Sequence, residues 1–194
     1  MADAAAIILA GGGSRRMGSP KALLDWHGEP LVHRVARILG EVCEPVVVVA
    51  APGQALPLPA GVELLADAAP DRGPLEGVAA AEAALQGRIA AAFLAAVDLP
   101  LIDPALVRAV LAGLAGYDAA VPVTEGHDQP LAAAYDLRTL ARARPLLDAG
   151  RARALDLLED VRVRRLDAAT LPGGDSIAGA NTPAEYRRLL ARAT

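Results

Sequence analysis

The chain lacks three features that would place it in a specialised class: repeated cysteines, a long apolar run and a surplus of basic residues. Its single cysteine, Cys43, cannot form an internal disulfide bond, which fits a reducing compartment. We interpret this residue, which lies between a helical stretch and an apolar run, as an inert buried thiol. One cysteine cannot complete a zinc site, and the 3 histidines show no metal-ligand spacing.

The amino-terminal stretch MADAAAIILAGGG has no basic segment before its apolar run, unlike a secretion signal. The run also falls far short of the roughly 18 residues that a membrane span needs. The net charge is -4, so no broad basic field exists to hold a nucleic-acid backbone. We therefore expect a cytoplasmic protein that binds neither membranes nor nucleic acid.

The distribution of apolar residues predicts one α/β domain over residues 1–194. Hydrophobic residues make up 54% of the chain and charged residues 22%, a balance typical of globular proteins. Short apolar runs alternate with amphipathic stretches, which favours βαβ units in a Rossmann-like, three-layer sandwich with a mainly parallel sheet. The predicted strands cover 4–9, 46–50, 62–65, 90–97, 119–123 and 161–166.

Apolar residues at helical spacing predict helices over 31–42 and 106–114, and a helical pair across 149–150. Asp103 followed by Pro104 is typical of a helix start, because the aspartate can cap the first turn. Near the end of the chain, Thr182 and Glu185 have the spacing of a capping box and predict one more helix.

A glycine-rich loop with three cations follows the first predicted strand. Residues 9–24 read LAGGGSRRMGSPKALL, and the cations are Arg15, Arg16 and Lys21. Open α/β sheets bind phosphates in loops of this kind, where backbone N–H groups and cations offset the negative charge. On the residues alone, a tight strand-to-helix turn with solvated basic side chains remains the alternative.

Neither common phosphate-binding motif describes this loop. A Walker loop needs Lys-Ser or Lys-Thr directly after its second glycine, whereas Gly18 is followed by Ser19-Pro20. A dinucleotide fingerprint that starts at Gly11 needs a small residue where Arg16 stands. The loop has to be interpreted through its own sequence.

Two aspartates follow predicted strands and are candidates for a ligand site. Asp98 comes directly after the strand over 90–97, and Asp67 follows the strand over 62–65. In an α/β sheet the ligand crevice opens at the carboxyl ends of the strands, where a carboxylate can hold Mg²⁺. The residues alone also allow both aspartates to be turn or cap residues.

The loop LAGGGSRRMG-x-x-K resembles the signature of the nucleotidyltransferase superfamily, and the sequence is most similar to its molybdenum cofactor guanylyltransferases. The sequence Ala-Gly-Gly at 10–12 resembles the guanylyl branch of this superfamily, because the molybdopterin cytidylyltransferases usually have Ala-Ala-Gly at these positions. The resemblance spans nearly the whole chain and implies a glycosyltransferase-A-like fold. Its other pieces are Asp67, GPLEG at 73–77, VDLPLI at 97–102, QPLAAAY at 129–135 and NTPAEY at 181–186.

The resemblance also implies a role for each matching residue. Arg16 and Lys21 would hold the phosphates and act in catalysis together with Asp98, which would bind Mg²⁺. Asp67 would help to fix the nucleotide, and Asn181 would lie near the acceptor. The base and ribose would meet the backbone of Leu9, Ala10, Gly11 and Gly12.

Two positions depart from the family's usual pattern. The family has an asparagine near the end of the second strand, where this chain reads Val49-Ala50-Ala51. It also has an N-x-N pair before Thr-Pro, and Gly179 holds the first of these places. The first departure bears on the base contacts and the second on the acceptor contacts.

The function that the resemblance implies is transfer of GMP from GTP to the terminal phosphate of molybdenum-molybdopterin, with release of pyrophosphate. Mg²⁺ would be the cofactor, and the partners would be GTP, the molybdopterin acceptor and molybdoenzyme maturation proteins. Two alternatives stay open. One is a related nucleotidyltransferase that uses CTP or a sugar 1-phosphate acceptor, and the other is a nucleotide-binding partner protein without turnover.

Overall fold

The computed structural model describes residues 4–11, 20–67 and 72–192. Within these residues, a sheet of eight strands runs through the protein, and a separate small hairpin pairs Asp25–Trp26 (β2) with Glu29–Pro30 (β3). The strands of the large sheet are Ala4–Leu9 (β1), Val46–Ala50 (β4), Glu63–Ala66 (β5), Ala91–Ala96 (β6), Ala119–Thr124 (β7), His127–Asp128 (β8), Ala132–Asp136 (β9) and Val163–Asp167 (β10).

From edge to edge the sheet runs β5-β4-β1-β6-β9-β7-β10, with β8 paired to β7. The four strands from β5 to β6 are mutually parallel, whereas β9 is antiparallel to both of its neighbours. Every residue of β1 is buried, because this central strand has cores on both of its faces. The prediction of a mainly parallel sheet is confirmed.

Helices cover both faces of the sheet and complete the three predicted layers. The helices are Leu31–Gly40 (α1), Pro74–Leu85 (α2), Pro104–Gly113 (α3), Leu137–Leu140 (α4), Ala143–Asp148 (α5) and Pro183–Arg192 (α6). On one face, α1, α3 and α6 pack over Ala6 and Ile8 of β1. On the other, α2, α4 and α5 pack over Ala5, Ile7 and Leu9, so successive residues of β1 face opposite cores.

Both predicted helix starts are confirmed in atomic detail. Asp103 Oδ1 accepts a hydrogen bond of 2.6 Å from the Ala105 N–H at the start of α3. At α6, the Glu185 N–H donates to Thr182 Oγ1 at 3.2 Å, and the Thr182 N–H donates back to Glu185 Oε2 at 3.0 Å. These reciprocal bonds fix the chain just before α6.

Some boundaries differ from the sequence prediction. The helical pair across 149–150 is wrong in its second half, because Gly150 has a φ of 77° and the chain continues into a 3-10 turn at Ala154–Leu158. The last strand begins at Val163, two positions later than expected, since the Arg162 N–H donates to Asp118 Oδ2 at 2.8 Å in the preceding turn. The hairpin β2–β3 was not predicted.

The environment of Cys43 agrees with an inert thiol. Its side chain is buried in the core on the α1 side of the sheet. Burial raises the pKa of the Cys43 thiol to about 12, so the reactive thiolate is scarce at neutral pH. No helix in the described ranges is long and apolar enough to cross a membrane.

Candidate active site

The carboxyl ends of β1, β4, β5 and β6 meet at one edge of the sheet. The chain runs outward from β1 to β4 and β5, then returns to place β6 on the other side of β1. Ligands of open α/β sheets bind where the strand order reverses in this way. A cavity of 410 Å³ lies there, and we call it the first cavity. It is lined by Leu9, Ala10, Gly11, Lys21, Val49, Asp67, Gly73, Pro74, Gly77, Ala96, Val97, Asp98 and Leu131.

The chain that leaves β1 is held against the end of β4. The N–H groups of Ala10 and Gly11 both donate to the Val49 carbonyl oxygen, at 2.8 and 3.1 Å. Val49 therefore fixes the cavity rim through its backbone, although its side chain cannot make the amide contacts of the family's asparagine. A Cβ on Gly11 would lie no closer than 3.4 Å to any neighbour, the Ala51 nitrogen being nearest. The protein's own packing thus leaves room for a methyl group at this position.

Two residues that line the first cavity form an ion pair. Lys21 Nζ donates to Asp98 Oδ2 at 2.5 Å, and the two side chains are 21% and 15% exposed. Asp98 follows β6 and Lys21 begins the 3-10 turn Lys21–Leu23, so the fold joins positions that are 77 residues apart. Lys21 Nζ also donates to Asn181 Oδ1 at 2.9 Å.

A buried carboxylate that sequence reasoning missed anchors the start of α2. Glu76 is only 1% exposed, and its Oε1 and Oε2 lie 2.8 Å from Arg72 Nη1 and 3.3 Å from Arg144 Nη1. A buried carboxylate is costly unless it is paired, so the two arginines compensate its charge and tie α2 to α5. The available signal was a charged residue within the apolar segment PLEGVAAAEAAL.

The turn before α2 forms part of the cavity wall and requires a glycine. Gly73 has a φ of 93°, and a Cβ there would lie 2.7 Å from the Ala152 carbonyl oxygen. This close approach packs the chain after α5 against the rim of the first cavity. Backbone conformation and packing therefore both exclude a side chain at Gly73.

Gly73→Ala should lower the free energy of unfolding by about 1–3 kcal/mol and weaken nucleotide binding, because alanine is strained at this positive φ and its Cβ would displace the cavity wall at Ala152. Urea denaturation and nucleotide titration measure the two effects. The matched control is Gly87→Ala, whose φ of 75° is also positive but whose Cβ would meet nothing within 4 Å. We expect this control to lose less stability and to keep parental nucleotide affinity. Equal losses in both variants would contradict a role for the Ala152 contact.

A second cavity of 450 Å³ adjoins the first. Both are lined by Asp98, Ala96, Pro74 and Leu131, so the cavities share a wall. The second cavity is further lined by Leu99, Gln129, Pro130, Ala132, Arg153, Ala154, Leu155, Ile177, Gly179 and Asn181.

Arg153, which lines the second cavity, is held by the buried Asp156. Arg153 is 76% exposed, and its Nη2 donates to Asp156 Oδ1 at 3.0 Å. Arg151 Nη2 donates to the same oxygen at 3.2 Å, and the Arg153 N–H donates to Asp156 Oδ2 at 2.9 Å. Hydrogen bonds from Arg153 hold the pKa of the Asp156 carboxyl below its ordinary value. The arrangement keeps a guanidinium group beside the cavity at neutral pH.

The fold brings together most of the predicted site residues. Leu9, Ala10, Gly11, Lys21, Asp67 and Asp98 line the first cavity, and Asn181 lines the second. Asn181 Oδ1 also accepts a hydrogen bond of 2.9 Å from Lys21 Nζ. The sequence did not predict this contact. Gly12, Arg15 and Arg16 lie outside the described residues, so their predicted roles stay predictions.

Asp98 is the predicted Mg²⁺ ligand, and its surroundings fit a cation. Its carboxylate already holds the Lys21 ammonium, and Mg²⁺ commonly binds one or two carboxylates together with phosphate oxygens and water. Within the described ranges, no group of three or more His, Cys, Asp or Glu side chains could hold an ion by itself. Other oxygens would have to come from a substrate or from water.

The strand order and the cavity at its reversal point define an open α/β protein with a ligand site at the carboxyl ends of its parallel strands. Residues 6–166 match the MobA-like NTP transferase domain, and the chain belongs to this family. It is accordingly a nucleotidyltransferase.

A similar sequence agrees with this assignment, and two solved structures share the fold. The chain is 36% identical over 192 residues to a probable molybdenum cofactor guanylyltransferase of Mycobacterium bovis, which covers 95% of this chain and 94% of that protein. The structure of molybdopterin-guanine dinucleotide biosynthesis protein A from Archaeoglobus fulgidus is similar with a TM-score of 0.78 and 22% identity, over 97% of this chain and 98% of that one. A complex of Rv0371c from Mycobacterium tuberculosis with manganese gives a TM-score of 0.69 at 18% identity, over 97% and 98% of the two chains.

Proposed function

We propose that this enzyme transfers GMP from GTP to the terminal phosphate of molybdenum-molybdopterin, which yields the guanine dinucleotide form of the cofactor and pyrophosphate. The observation that carries the proposal is the pair of adjoining cavities that share Asp98. A transfer between two substrates needs two such sites with the reacting groups at their boundary. The names of the relatives with 36% identity support this choice of substrates.

In the proposed reaction, GTP occupies the first cavity and the acceptor occupies the second. An acceptor phosphate oxygen attacks the α-phosphorus of GTP, the bond from that phosphorus to the bridging oxygen breaks, and pyrophosphate leaves with the electron pair. No covalent intermediate on the enzyme is required, so the protein contributes positioning and charge neutralisation. Lys21, together with the predicted Arg16, neutralises charge on the two phosphates beyond the first, which leave as pyrophosphate.

On the acceptor side, Arg153 and Asn181 line the cavity where the attacking phosphate would lie. Guanidinium groups suit phosphate oxygens, because they donate parallel hydrogen bonds. Asp98 would hold Mg²⁺, which when bound supplies positive charge at the phosphate oxygens. The manganese complex of Rv0371c supports the use of a divalent ion in this fold.

The direct test is pyrophosphate release by the purified protein from GTP and molybdenum cofactor in the presence of Mg²⁺. We expect release that depends on both substrates. A thermal-shift panel with GTP, CTP and ATP distinguishes the guanylyl enzyme from a cytidylyl relative. Absence of pyrophosphate release under any Mg²⁺ condition would overturn the proposed reaction, and acceptance of a sugar 1-phosphate in place of the cofactor would redirect it.

The choice of base can be tested at Gly11. Because neighbouring atoms leave room for a Cβ at this position, the Gly11→Ala variant should fold like the parent. Any change in its nucleotide affinity would then come from contact between the added methyl group and the ligand. We expect the added methyl group to weaken GTP binding more than CTP binding, since the purine is larger. Thermal-shift titrations with both nucleotides measure the ratio of affinities. An unchanged ratio would show that the base is selected elsewhere.

A further inference from the structure

We propose that Asn181 is a positioning residue for the phosphate-binding Lys21, and thereby couples the acceptor cavity to the nucleotide cavity. The inference rests on the proposed function and goes beyond it, because it gives Asn181 an effect on GTP that an acceptor contact alone would not have. Its starting point is the hydrogen bond of 2.9 Å from Lys21 Nζ to Asn181 Oδ1.

This hydrogen bond crosses the boundary between the cavities. Lys21 lines the first cavity, Asn181 lines the second, and Asp98 lines both. The Lys21 ammonium donates to Asp98 Oδ2 and Asn181 Oδ1, so two oxygens from distant parts of the chain fix one nitrogen. A lysine has a flexible four-carbon stem, and its charge acts at a defined point only when such partners hold it.

Asn181 is itself firmly placed. Its backbone N–H donates to Glu185 Oε2 at 2.9 Å, and the same carboxylate accepts from the Thr182 N–H in the capping box of α6. The Ala180 N–H donates to the Asp98 carbonyl oxygen at 2.9 Å. The segment before α6 is therefore bound to the chain at Asp98, and the exposed Asn181 side chain reaches Lys21 from a backbone that these hydrogen bonds hold.

Gly179 contributes to this arrangement by having no side chain. A Cβ at this position would lie 3.3 Å from Asn181 Nδ2 and 3.7 Å from the Asp98 carbonyl oxygen. A larger side chain in the place of the family's first asparagine would press on the amide that holds Lys21. The departure at Gly179 leaves Asn181 as the amide beside the ion pair.

The consequence is a specific pattern of binding without any acceptor present. If Asn181 fixes Lys21, its removal weakens the binding of a triphosphate, whereas a residue that only shapes the acceptor cavity leaves that binding unchanged. GMP is the internal reference, because Lys21 is assigned to the phosphates beyond the first.

The test is a double-mutant cycle on GTP affinity, measured by calorimetry with Asn181→Ala, Lys21→Ala and the double variant. Asn181→Ala keeps the backbone bond to Glu185, so α6 stays capped, and thermal melting verifies the fold. We expect Asn181→Ala to weaken GTP binding roughly threefold to tenfold and GMP binding much less. In the Lys21→Ala background, the same substitution should have almost no further effect.

The matched control is Gln129→Ala. Gln129 also lines the second cavity, but its side chain donates to the His127 carbonyl oxygen at 3.3 Å. We expect this control to keep parental GTP affinity in the absence of acceptor. The cycle is repeated with EDTA, because coupling through Lys21 persists without a metal ion.

Three results would each overturn the inference. The first is that the losses in GTP affinity from the two substitutions are additive, and the second is that Asn181→Ala leaves GTP affinity unchanged. The third is that the two substitutions are coupled only when Mg²⁺ is present. Failure of the proposed function is a separate result. A parent that binds CTP more tightly than GTP contradicts the guanylyl assignment, and the cycle is then run with CTP, where the same outcomes decide the role of Asn181.

Discussion

Asp98→Asn should reduce turnover by roughly a hundredfold or more, which corresponds to about 2.7 kcal/mol of lost transition-state stabilisation. The substitution keeps the size of the side chain and removes one negative charge. If Asp98 holds Mg²⁺, the ion loses its carboxylate from the end of β6, and its charge is needed most where negative charge accumulates in the transition state. Steady-state pyrophosphate release measures this loss.

The same variant should bind GTP slightly more tightly when no metal is present. Its side chain no longer repels the phosphates, and its amide oxygen can still accept from the Lys21 ammonium that the carboxylate holds at 2.5 Å in the parent. A matched control is Asp175→Asn, since Asp175 is 81% exposed and pairs only at 3.3 Å with Arg192. We expect that control to turn over like the parent. A folded Asp98→Asn enzyme within a few-fold of parental turnover would reduce Asp98 to a turn residue and direct the search for the metal ligand to Asp67.

Lys21→Ala should weaken GTP binding by roughly 10- to 150-fold, because a charge-assisted contact to phosphate contributes about 1.5–3 kcal/mol. GMP binding should change far less, since Lys21 is assigned to the phosphates beyond the first. Calorimetric titration of both nucleotides gives the two affinities directly. Equal losses for GTP and GMP would remove Lys21 from the phosphate tail.

The control for Lys21→Ala is the loss of a cation elsewhere on the protein. Arg88 pairs with Glu63 at 2.6 Å near the β5 edge of the sheet, and it does not line either cavity. Arg88→Ala should therefore leave the affinity for both nucleotides at the parental value. A similar loss of GTP binding in this variant would indicate a general effect of net charge on nucleotide binding.

The sequence predicted the parts of the site that depend on local pattern. An apolar run followed by a polar residue marks the end of a buried strand, and parallel strands end at a common edge. For this reason the residues after β1, β5 and β6 could be assigned to one crevice, and Leu9, Asp67 and Asp98 do line one cavity.

The contacts that join distant segments could not be predicted in the same way. Lys21 and Asn181 are separated by 160 positions, and no local pattern encodes the distance between a lysine and an amide at opposite ends of the chain. The direction of β9 was equally hidden, because a short apolar run does not reveal whether its strand is parallel or antiparallel. The burial and pairing of Glu76 could not be predicted either, because its partners Arg72 and Arg144 lie in different segments of the chain.

The reversed direction of β9 gives the second cavity lining residues that the first cavity does not share. A parallel strand would place its last residue at the crevice, whereas the antiparallel β9 places its first residue there. Just before β9, the Leu131 carbonyl oxygen accepts a hydrogen bond of 2.9 Å from the Ala96 N–H at the end of β6. The turn that enters β9 therefore supplies Gln129 and Pro130 to the second cavity, while the loop after β1 serves the first. In the proposed reaction, exchanges at Gln129 and Pro130 would change which acceptor is recognised and leave the loop after β1 intact.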